Sequence, residues 1–255
     1  MRLRLTIVFA LLAALCVAGS AFPVVGGTTD VGHAYVGGAI QLQTRGGRTG
    51  YELCSGFLIS PTKFVTAAHC FQSGAGAAPI QVTFDGVLRP QPGVLIALNP
   101  ILGTVVNNPA FCPACGKNAM PLNDVAVVTL ETPQTERGQA TLPAVGSNDA
   151  LGSGDPVDVV GFGWSDVSHK VPTALGTRQF ATTRTVSAGV LGDNYLALLT
   201  GPGACQGDSG GPDLLPGTNV VVALTTSGNG NPDCNGIQYS QRLDTPTIQS
   251  FILGA

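Results

Sequence analysis

The stretch Cys205-Gln206-Gly207-Asp208-Ser209-Gly210-Gly211-Pro212 places a serine among glycines. A serine hydroxyl is a poor nucleophile at neutral pH unless a base removes its proton and nearby donors hold the developing oxyanion. Glycines on both sides let the backbone approach a substrate and turn its N–H groups outward. The stretch therefore predicts a nucleophilic serine. The alternative, a turn that only contains a serine, depends on what the rest of the chain supplies.

The composition predicts a turn-rich chain of short strands. Its 255 residues, 44% of them apolar, are enough for one or two packed cores. Only 11% are charged, and 35 glycines with 18 prolines favour strands over long helices. There are 12 basic and 15 acidic residues and no basic run. Nucleic acid is therefore not an expected partner, because phosphate contacts need clustered Lys and Arg.

The N-terminal residues predict export. Arg2 and Arg4 precede an apolar run, and the small residues 18–21 suit signal peptidase. The run is shorter than the roughly 20 apolar residues that span a bilayer, and no later stretch is long enough to anchor the chain. We expect residues 1–21 to be a signal peptide of a secreted protein; a buried N-terminal helix is the alternative.

Cysteine usage agrees with export. One of the seven cysteines leaves with the signal peptide, and an even number in an exported chain predicts disulfides, although the pairing does not follow from sequence. Two of them form a C-x-x-C with no second C-x-x-C or nearby histidine, so we expect a local disulfide there and no zinc. A thiol redox role is the alternative. The six are Cys54, Cys70, Cys112, Cys115, Cys205 and Cys234.

Short segments rich in β-branched and aromatic residues, bounded by Gly, Pro or Asn, predict strands. A Pro- and Gly-containing stretch from Thr132 to Ser147 separates two halves. Asp244 is expected to cap a short helix from about Thr245 to Ile252, with Gly254 after it. The predicted strands are Tyr35 to Gln43, Phe57 to Ile59, Lys63 to Thr66, Ile80 to Phe84, Val94 to Leu98, Val125 to Leu130, Val157 to Val160 and Asn219 to Leu224.

A base and an acid are available elsewhere in the chain. Of the three histidines, His33 and His169 are expected to be structural or surface groups, whereas small residues beside His69 leave one side of its ring open. Asp124 opens an apolar strand, where an unpaired carboxylate is costly. Asp124 is therefore either an orienting acid or a strand-capping residue near the surface.

These motifs together resemble the chymotrypsin-like (trypsin-like) serine proteases over nearly the whole chain after the signal. The resemblance implies an all-β fold of two six-stranded antiparallel β-barrels with the active site between them, with a short C-terminal helix. It makes residues 24–255 the protease domain, with an N-terminal barrel at about 24–135 and a C-terminal barrel at about 136–255. The motifs, in family order, are Val24-Val25-Gly26-Gly27, Thr66-Ala67-Ala68-His69-Cys70, Asp124-Val125-Ala126-Val127, Gly161-Phe162-Gly163-Trp164 and Gly207-Asp208-Ser209-Gly210-Gly211-Pro212.

The resemblance also implies the catalytic roles. Ser209 is similar to the family's nucleophile, His69 to its general base and Asp124 to the group that orients the base. The backbone N–H groups of Gly207 and Ser209 match the oxyanion hole. The implied disulfides join Cys54 with Cys70 and Cys205 with Cys234.

In the family, the freed N-terminal amine binds the aspartate before the catalytic serine. Val24 and Asp208 match these two groups. Pro23 precedes Val24 where an Arg or Lys often marks the activation cut. We therefore expect residues 22–23 to be a short pro-segment, removed by a dipeptide-removing step or by signal cleavage itself.

The resemblance places substrate contacts around the serine. Gly203 matches the base of the specificity pocket, where members that cut after Arg and Lys carry an acidic residue. Gly228 and Gly236 match the walls, and Gln206 and Ser227 are further expected contacts. We expect an open apolar slot and cleavage after uncharged, medium or large apolar side chains. Ser227 stands where the family usually has Trp, which changes the edge that pairs with substrate.

The leading interpretation is thus a secreted serine endopeptidase acting on proteins or peptides. The alternative is a catalytically silent relative that acts as a binding module. Residues 71–79 lack the acidic pair of the family's calcium loop, so no metal and no cofactor are expected. We expect a monomer with no membrane or nucleic-acid partner.

Overall fold

A computed structural model of the chain describes residues 24–71, 78–91, 94–97, 99–116, 119–164, 176–186, 194–229 and 234–255. The predicted signal peptide, the pro-segment and His169 lie outside these residues. No helix in the described ranges has the length and apolar character needed to cross a membrane. The elements are β1 (Thr28–Thr29), β2 (Val36–Arg45), β3 (Arg48–Leu58), β4 (Lys63–Thr66), β5 (Ile80–Thr83), β6 (Arg89–Gln91), β7 (Val94–Ile96), β8 (Ile101–Asn107), β9 (Ala126–Leu130), β10 (Pro156–Gly161), β11 (Gln179–Arg184), β12 (Tyr195–Leu199), β13 (Pro212–Leu214), β14 (Val221–Gly228), β15 (Ile237–Arg242) and α1 (Pro246–Gly254).

Six strands of the N-terminal half close into an antiparallel barrel in the order β2-β3-β4-β9-β8-β5. Along β8, buried and exposed residues alternate, because successive side chains point to opposite faces of a strand. Four of the five residues of β9 are buried, as its apolar sequence predicts. Side chains fill the interior, among them Ile40, Phe57, Phe64 and Ile80.

Six strands of the C-terminal half form a curled antiparallel sheet in the order β11-β10-β13-β14-β15-β12, and β1 pairs with the outer edge of β11. The two ends of the curled sheet meet at a bridge between Thr185 and Leu198, where the Val186 N–H donates to the Ala197 carbonyl (3.0 Å). The predicted mostly-β fold is confirmed, with one closed barrel and one half-barrel.

The stretch that links the halves touches both of them. The Ala140 N–H donates to the Leu58 carbonyl of the first barrel (2.7 Å), and the Val221 N–H of the second sheet donates to the Thr141 carbonyl (3.0 Å). The sheets thus face each other across a hydrogen-bonded connection, and the loops at their junction can share one site.

The predicted strands are found with shifted ends, and one is much longer than expected. Lys63–Thr66 is strand β4 as predicted. The segment predicted as Phe57 to Ile59 is wrong in extent, since it is the end of the eleven-residue strand β3. Glycines and polar residues interrupt the apolar pattern of β3, so that most of its length does not look like a strand.

The C-terminal helix was predicted with the wrong cap. Thr245, rather than Asp244, precedes α1, and Pro246 begins it because its fixed φ suits a first turn that needs no N–H. The Asp244 carboxylate instead accepts hydrogen bonds from the Arg242 guanidinium (2.6 and 2.8 Å). Gly254 is the last helical residue and does not follow the helix.

Candidate active site

His69 and Asp124 meet at the junction of the two halves. His69 lies in a 3-10 turn directly after β4, and Asp124 lies two residues before β9, the strand that pairs with β4. The His69 Nδ1 is 2.6 Å from Asp124 Oδ2, and the His69 backbone N–H donates to Asp124 Oδ1 (2.8 Å). The carboxylate is fully buried, whereas the imidazole side chain is 30% exposed. Asp124 therefore fixes the ring and leaves Nε2 as the atom that can accept a proton.

The backbone of Asp124 is held by the second sheet. The Asp124 backbone N–H donates to the Oε1 of Gln241 (3.3 Å), a buried residue of β15. Burial, and next the negative charge of Asp124, raise the pKa of the nearby Tyr195 above its usual range. Strands of the second sheet therefore support an acid that belongs to the first barrel.

The glycines around Ser209 are required by the turn that carries it. Gly207 and Gly210 have φ of 95° and 82°, a region in which residues with a Cβ are strained. The Ser209 carbonyl accepts the N–H of Ser55 (2.8 Å), and the Gly210 N–H donates to the Thr225 carbonyl (2.7 Å). The turn is thus tied to β3 of one half and to β14 of the other.

The disulfide sulfur of Cys70 lies between the base and the serine backbone. It is 3.7 Å from the His69 Nε2 and 4.0 Å from the Ser209 carbonyl oxygen. These contacts bring the residues predicted as base and nucleophile to the same disulfide. Cys54 joins Cys70, and its sulfur also lies within 4.8 Å of the imidazole ligand atom. Because the two sulfurs are bonded to each other, they are not thiolate ligands for a metal.

The peptide groups that carry the N–H groups of Gly207 and Ser209 are oriented by hydrogen bonds to their carbonyls. The Gln206 carbonyl, in the same peptide as the Gly207 N–H, accepts from the Trp164 N–H (2.8 Å). The Asp208 carbonyl, in the same peptide as the Ser209 N–H, accepts from the Gly211 N–H (2.8 Å). In a trans peptide the N–H points away from the carbonyl. Neither N–H donates to a backbone acceptor among the described residues.

Ser55 is a residue of this site that sequence reasoning missed. Its buried hydroxyl donates to the Gly207 carbonyl (2.9 Å) and accepts the Phe162 N–H (2.9 Å). It therefore anchors the loop that carries the predicted oxyanion donors. The signal in the sequence was weak, because Ser55 stands in a polar and glycine-containing stretch.

Asp208 is buried beside the Gly161-Phe162-Gly163 segment. Its two carboxylate oxygens accept the N–H groups of Gly163 (2.7 Å) and Cys205 (2.8 Å). A Cβ on Gly163 would stand 2.5 Å from the Asp208 Cγ, so glycine is required there. Burial raises the pKa of Asp208 to about 7, although both hydrogen bonds lower it.

Val24, the predicted partner of Asp208, is buried in the second half. Its side chain packs in an apolar cluster with Val157, Leu196 and their neighbours. Val25 pairs with Gly203, each N–H donating to the other residue's carbonyl (3.0 and 3.1 Å). The N-terminal segment is thus hydrogen-bonded to the residues that lead into the Ser209 turn.

All three predicted disulfides are present. Cys54 bonds to Cys70 and Cys205 to Cys234, as the resemblance implied. Cys112 bonds to Cys115 in the loop before Asp124, where Cys112 and Leu122 exchange backbone hydrogen bonds (3.0 and 2.8 Å).

A cavity of about 260 Å³ opens beside Ser209. Of the predicted pocket residues, Gln206, Ser227 and Gly228 line it, whereas Gly203 and Gly236 do not. A Cβ on Gly203 would meet the backbone of Leu199 and Thr200. Hydroxyl and amide side chains form part of the wall, and the expectation of an open apolar slot stays a prediction. The lining is Thr200, Ala204, Cys205, Gln206, Ser209, Thr225, Thr226, Ser227, Gly228, Asn229, Cys234 and Gln238.

Behind this wall lies a buried carboxyl group that sequence reasoning also missed. Asp213 in β13 is fully buried, and the Gln238 Nε2 donates to its two oxygens (3.1 and 3.4 Å). Burial raises the pKa of Asp213 to about 7, against the lowering effect of its hydrogen bonds. An aspartate within the apolar run Pro212-Asp213-Leu214 was a detectable signal, since the same reasoning selected Asp124.

His33 makes structural contacts away from the candidate active site. Its Nδ1 is 2.7 Å from Asp30, and its ring stacks on Phe180 with centroids 5.7 Å apart. The Arg178 Nε donates to the same carboxylate (2.8 Å). Burial raises the pKa of Asp30, but the hydrogen bonds and charges of His33 and Arg178 outweigh burial and hold it at about 2.

Comparisons with known proteins agree with this geometry. The family model described as Trypsin matches residues 24–247. Trypsin alpha of Drosophila erecta is 30% identical over 200 residues, which cover 72% of this chain and 70% of that protein. Hypodermin-B of Hypoderma lineatum is 28% identical over 221 residues, which cover 80% and 78%. A solved structure titled "HL collagenase structure at 1.7A resolution" has a TM-score of 0.63 at 19% identity, over 87% of this chain and 94% of that chain, and is similar in fold.

Proposed function

This chain belongs to the trypsin family of serine proteases, and we propose that it is an active, secreted endopeptidase. The single observation that carries the proposal is the contact of the exposed His69 ring with the fully buried Asp124 carboxylate, 2.6 Å apart, beside the Ser209 turn. Family membership makes proteins or peptides the substrates. The three disulfides support an oxidising compartment, and we propose a monomer that works without metal or cofactor.

The reaction runs in two halves. The His69 Nε2 takes the hydroxyl proton of Ser209 as its Oγ attacks the scissile carbonyl carbon. The N–H groups of Gly207 and Ser209 hold the oxyanion. His69 then gives the proton to the leaving amine, and an acyl-enzyme remains. Water, deprotonated by His69, attacks the ester, which releases the acid and restores Ser209.

The choice of P1 side chain, the one before the cut bond, is proposed from the cavity wall. No charged side chain is among the described residues that line it. The Ser227 side chain lines the cavity and can hydrogen-bond to a polar end, and the Thr226 hydroxyl is buried without a partner in the described part of the chain. We propose cleavage after uncharged side chains of medium or large size.

The maturation step is proposed from the N-terminal segment. The burial of Val24 and the pairing of Val25 with Gly203 support Val24 as the first residue of the active protein. Sequencing the N-terminus of secreted, active protein tests this step. A start at any other residue contradicts it.

A fluorophosphonate probe, which forms a bond only with an activated serine, tests the proposed function. We expect the mature wild type to be labelled and to hydrolyse peptides, and Ser209→Ala to do neither. Ser227→Ala, which changes another serine at the same cavity, should still be labelled. Absence of labelling in correctly processed wild type would favour the silent binding module.

A further inference from the structure

The base of the cavity is connected to Asp213 through two side chains that line it. Gln238 donates to both oxygens of the Asp213 carboxyl group, and the Thr225 hydroxyl donates to Oδ1 (3.5 Å). Asp213 is fully buried, so these contacts are its route to the cavity. A charge on this carboxyl group therefore lies directly behind the surface that meets the P1 side chain.

The orientation of Gln238 is fixed from the cavity side. Its Oε1 accepts the N–H of Ala204, another lining residue (3.3 Å). Its Nε2 consequently points inward, where it also lies 3.0 Å from the Thr225 Oγ1 and 2.8 Å from the Ser240 Oγ. An amide has two hydrogens, and Nε2 faces more acceptors than it can satisfy. The carboxyl group of Asp213 is thus held by neutral donors, Gln238, Thr225 and Ser240, whose hydrogen bonds lower its pKa without supplying a counter-charge.

No described cation compensates the charge of Asp213. From β10, the Asp158 carboxylate accepts the Thr182 hydroxyl (2.7 Å). From the Ser209 turn, the negative charge of Asp208 disfavours ionisation of Asp213. From β15, Arg242 is paired with Asp149 and Asp244, and Tyr239 is the other titratable group of that strand. Strand β14 has no titratable residue.

We propose that Asp213 is a specificity-determining residue: its ionised carboxylate favours a cationic P1 side chain, and its protonated form favours an uncharged one. The proposal rests on the proposed endopeptidase function and limits its preference for uncharged P1 side chains to the protonated form of Asp213. Because burial raises the pKa of Asp213 to about 7, both forms are available near neutral pH. A cation in the cavity supplies the missing counter-charge, whereas an uncharged P1 group supplies none.

The test compares two peptides that differ only at P1, with lysine in one and methionine in the other. Lysine stays protonated between pH 5.5 and 8.5, and the titration of His69 affects both peptides alike. The ratio of their kcat/KM values therefore isolates the pocket. In the mature wild type we expect the lysine-to-methionine ratio to rise about tenfold across this range, with a midpoint near 7.

Two variants locate the effect. Asp213→Asn should cleave both peptides with a ratio that does not change with pH. Asp158→Asn, which removes another buried carboxylate of the same sheet, should keep the wild-type rise. A flat ratio in the wild type overturns the proposal even if Asp213→Asn does not fold. Hydrolysis of neither peptide contradicts the endopeptidase function itself, and a rise that persists in Asp213→Asn assigns the effect to another group.

Discussion

Gly210, in the Ser209 turn, is constrained both by its backbone conformation and by the atoms packed around it. Its φ of 82° is in the left-handed region, and a Cβ there would meet the Thr66 hydroxyl and, at 2.5 and 2.6 Å, the Ser55 carbonyl oxygen and the Ala67 nitrogen. Two of these three atoms belong to the backbone and cannot rotate away. The turn that presents Ser209 is therefore packed directly against the strands that lead to Cys54 and His69.

This packing predicts a large effect of Gly210→Ala. Left-handed strain of about 1–2 kcal/mol adds to overpacking of about 1–3 kcal/mol, so the free energy of unfolding should fall by roughly 2–5 kcal/mol. Fluorophosphonate labelling should also be lost. Gly217→Ala is the matched control, because Gly217 has a φ of 72° and no described atom lies within 4 Å of where its new methyl group would stand. It should cost about 1 kcal/mol and keep labelling. Equal costs in urea unfolding would contradict the packing argument.

At the scale of secondary-structure elements, the Ser55 hydroxyl of strand β3 holds the loop that carries the proposed oxyanion donors. Ser55→Ala would leave the Gly207 carbonyl and the Phe162 N–H without their partner in a buried place. We expect a loss of about 1–3 kcal/mol in the free energy of unfolding. We also expect kcat to fall about tenfold, part of what loss of an oxyanion donor costs, with a smaller change in KM.

Ser60→Ala is the control for this prediction. The Ser60 hydroxyl accepts the N–H of Lys63 (3.0 Å) in the turn between β3 and β4, away from the Ser209 loop. Its loss should leave kcat unchanged. If both variants lower kcat alike, or if Ser55→Ala has wild-type kinetics, Ser55 does not position the loop.

The strands that can be predicted from the sequence are those whose own residues show a strand-like pattern of apolar side chains. The apolar run of β9 and the short strand β4 follow from their own residues. Strands β11 and β15 do not, because Gln179, Gln238 and Gln241 are buried there. Each amide has a partner from a distant part of the chain, such as Ala204 for Gln238, Thr29 for Gln179 and Asn194 for Gln241. The cavity lining could be predicted only in part for the same reason, since it depends on how β14 and β15 pair.

At the scale of the whole molecule, the two halves meet through groups that belong to both. The acid Asp124 precedes a strand of the first barrel and is supported by Gln241 of the second sheet. At the far end, the Lys63 ammonium donates to the Leu253 carbonyl of α1 (2.7 Å), which fixes the C-terminal helix on the first barrel. Separation of the halves would therefore break the contact of Gln241 with Asp124.

The N-terminal segment around Val24 connects maturation of the chain with its activity. Val24 has a φ of 52°, which is strained for a β-branched residue that follows a peptide bond. When Val24 is the first residue, no preceding peptide bond restrains its backbone. Its free ammonium group can then reach buried groups of the second half. Asp208 is the buried carboxylate that the family resemblance makes its partner.

The sign of the resulting pH dependence follows from Asp208. Its pKa of about 7 in the folded protein exceeds the ordinary 3.8, so the folded state binds its proton more tightly than the unfolded state does. Without a counter-charge, the stability that this group contributes is present below pH 4 and is lost as pH rises toward 7. An ammonium partner would instead lower the pKa of Asp208, so the ionised pair loses no stability as pH rises through 7, until the amine deprotonates above its ordinary value of about 8.

We therefore predict that protein beginning at Val24 and protein retaining Phe22-Pro23 have similar stability at pH 4 and diverge as pH rises. At pH 7 the form that begins at Val24 should be more stable by on the order of 2–4 kcal/mol, measured by urea unfolding. Asp213 titrates in both forms, so the comparison isolates the change at Asp208 together with its effect on Asp213. Asp208→Asn should remove the difference, because the amide offers no charge to the amine. Parallel stability curves for the two wild-type forms would show that the new N-terminus does not reach Asp208, and activation would then need another cause.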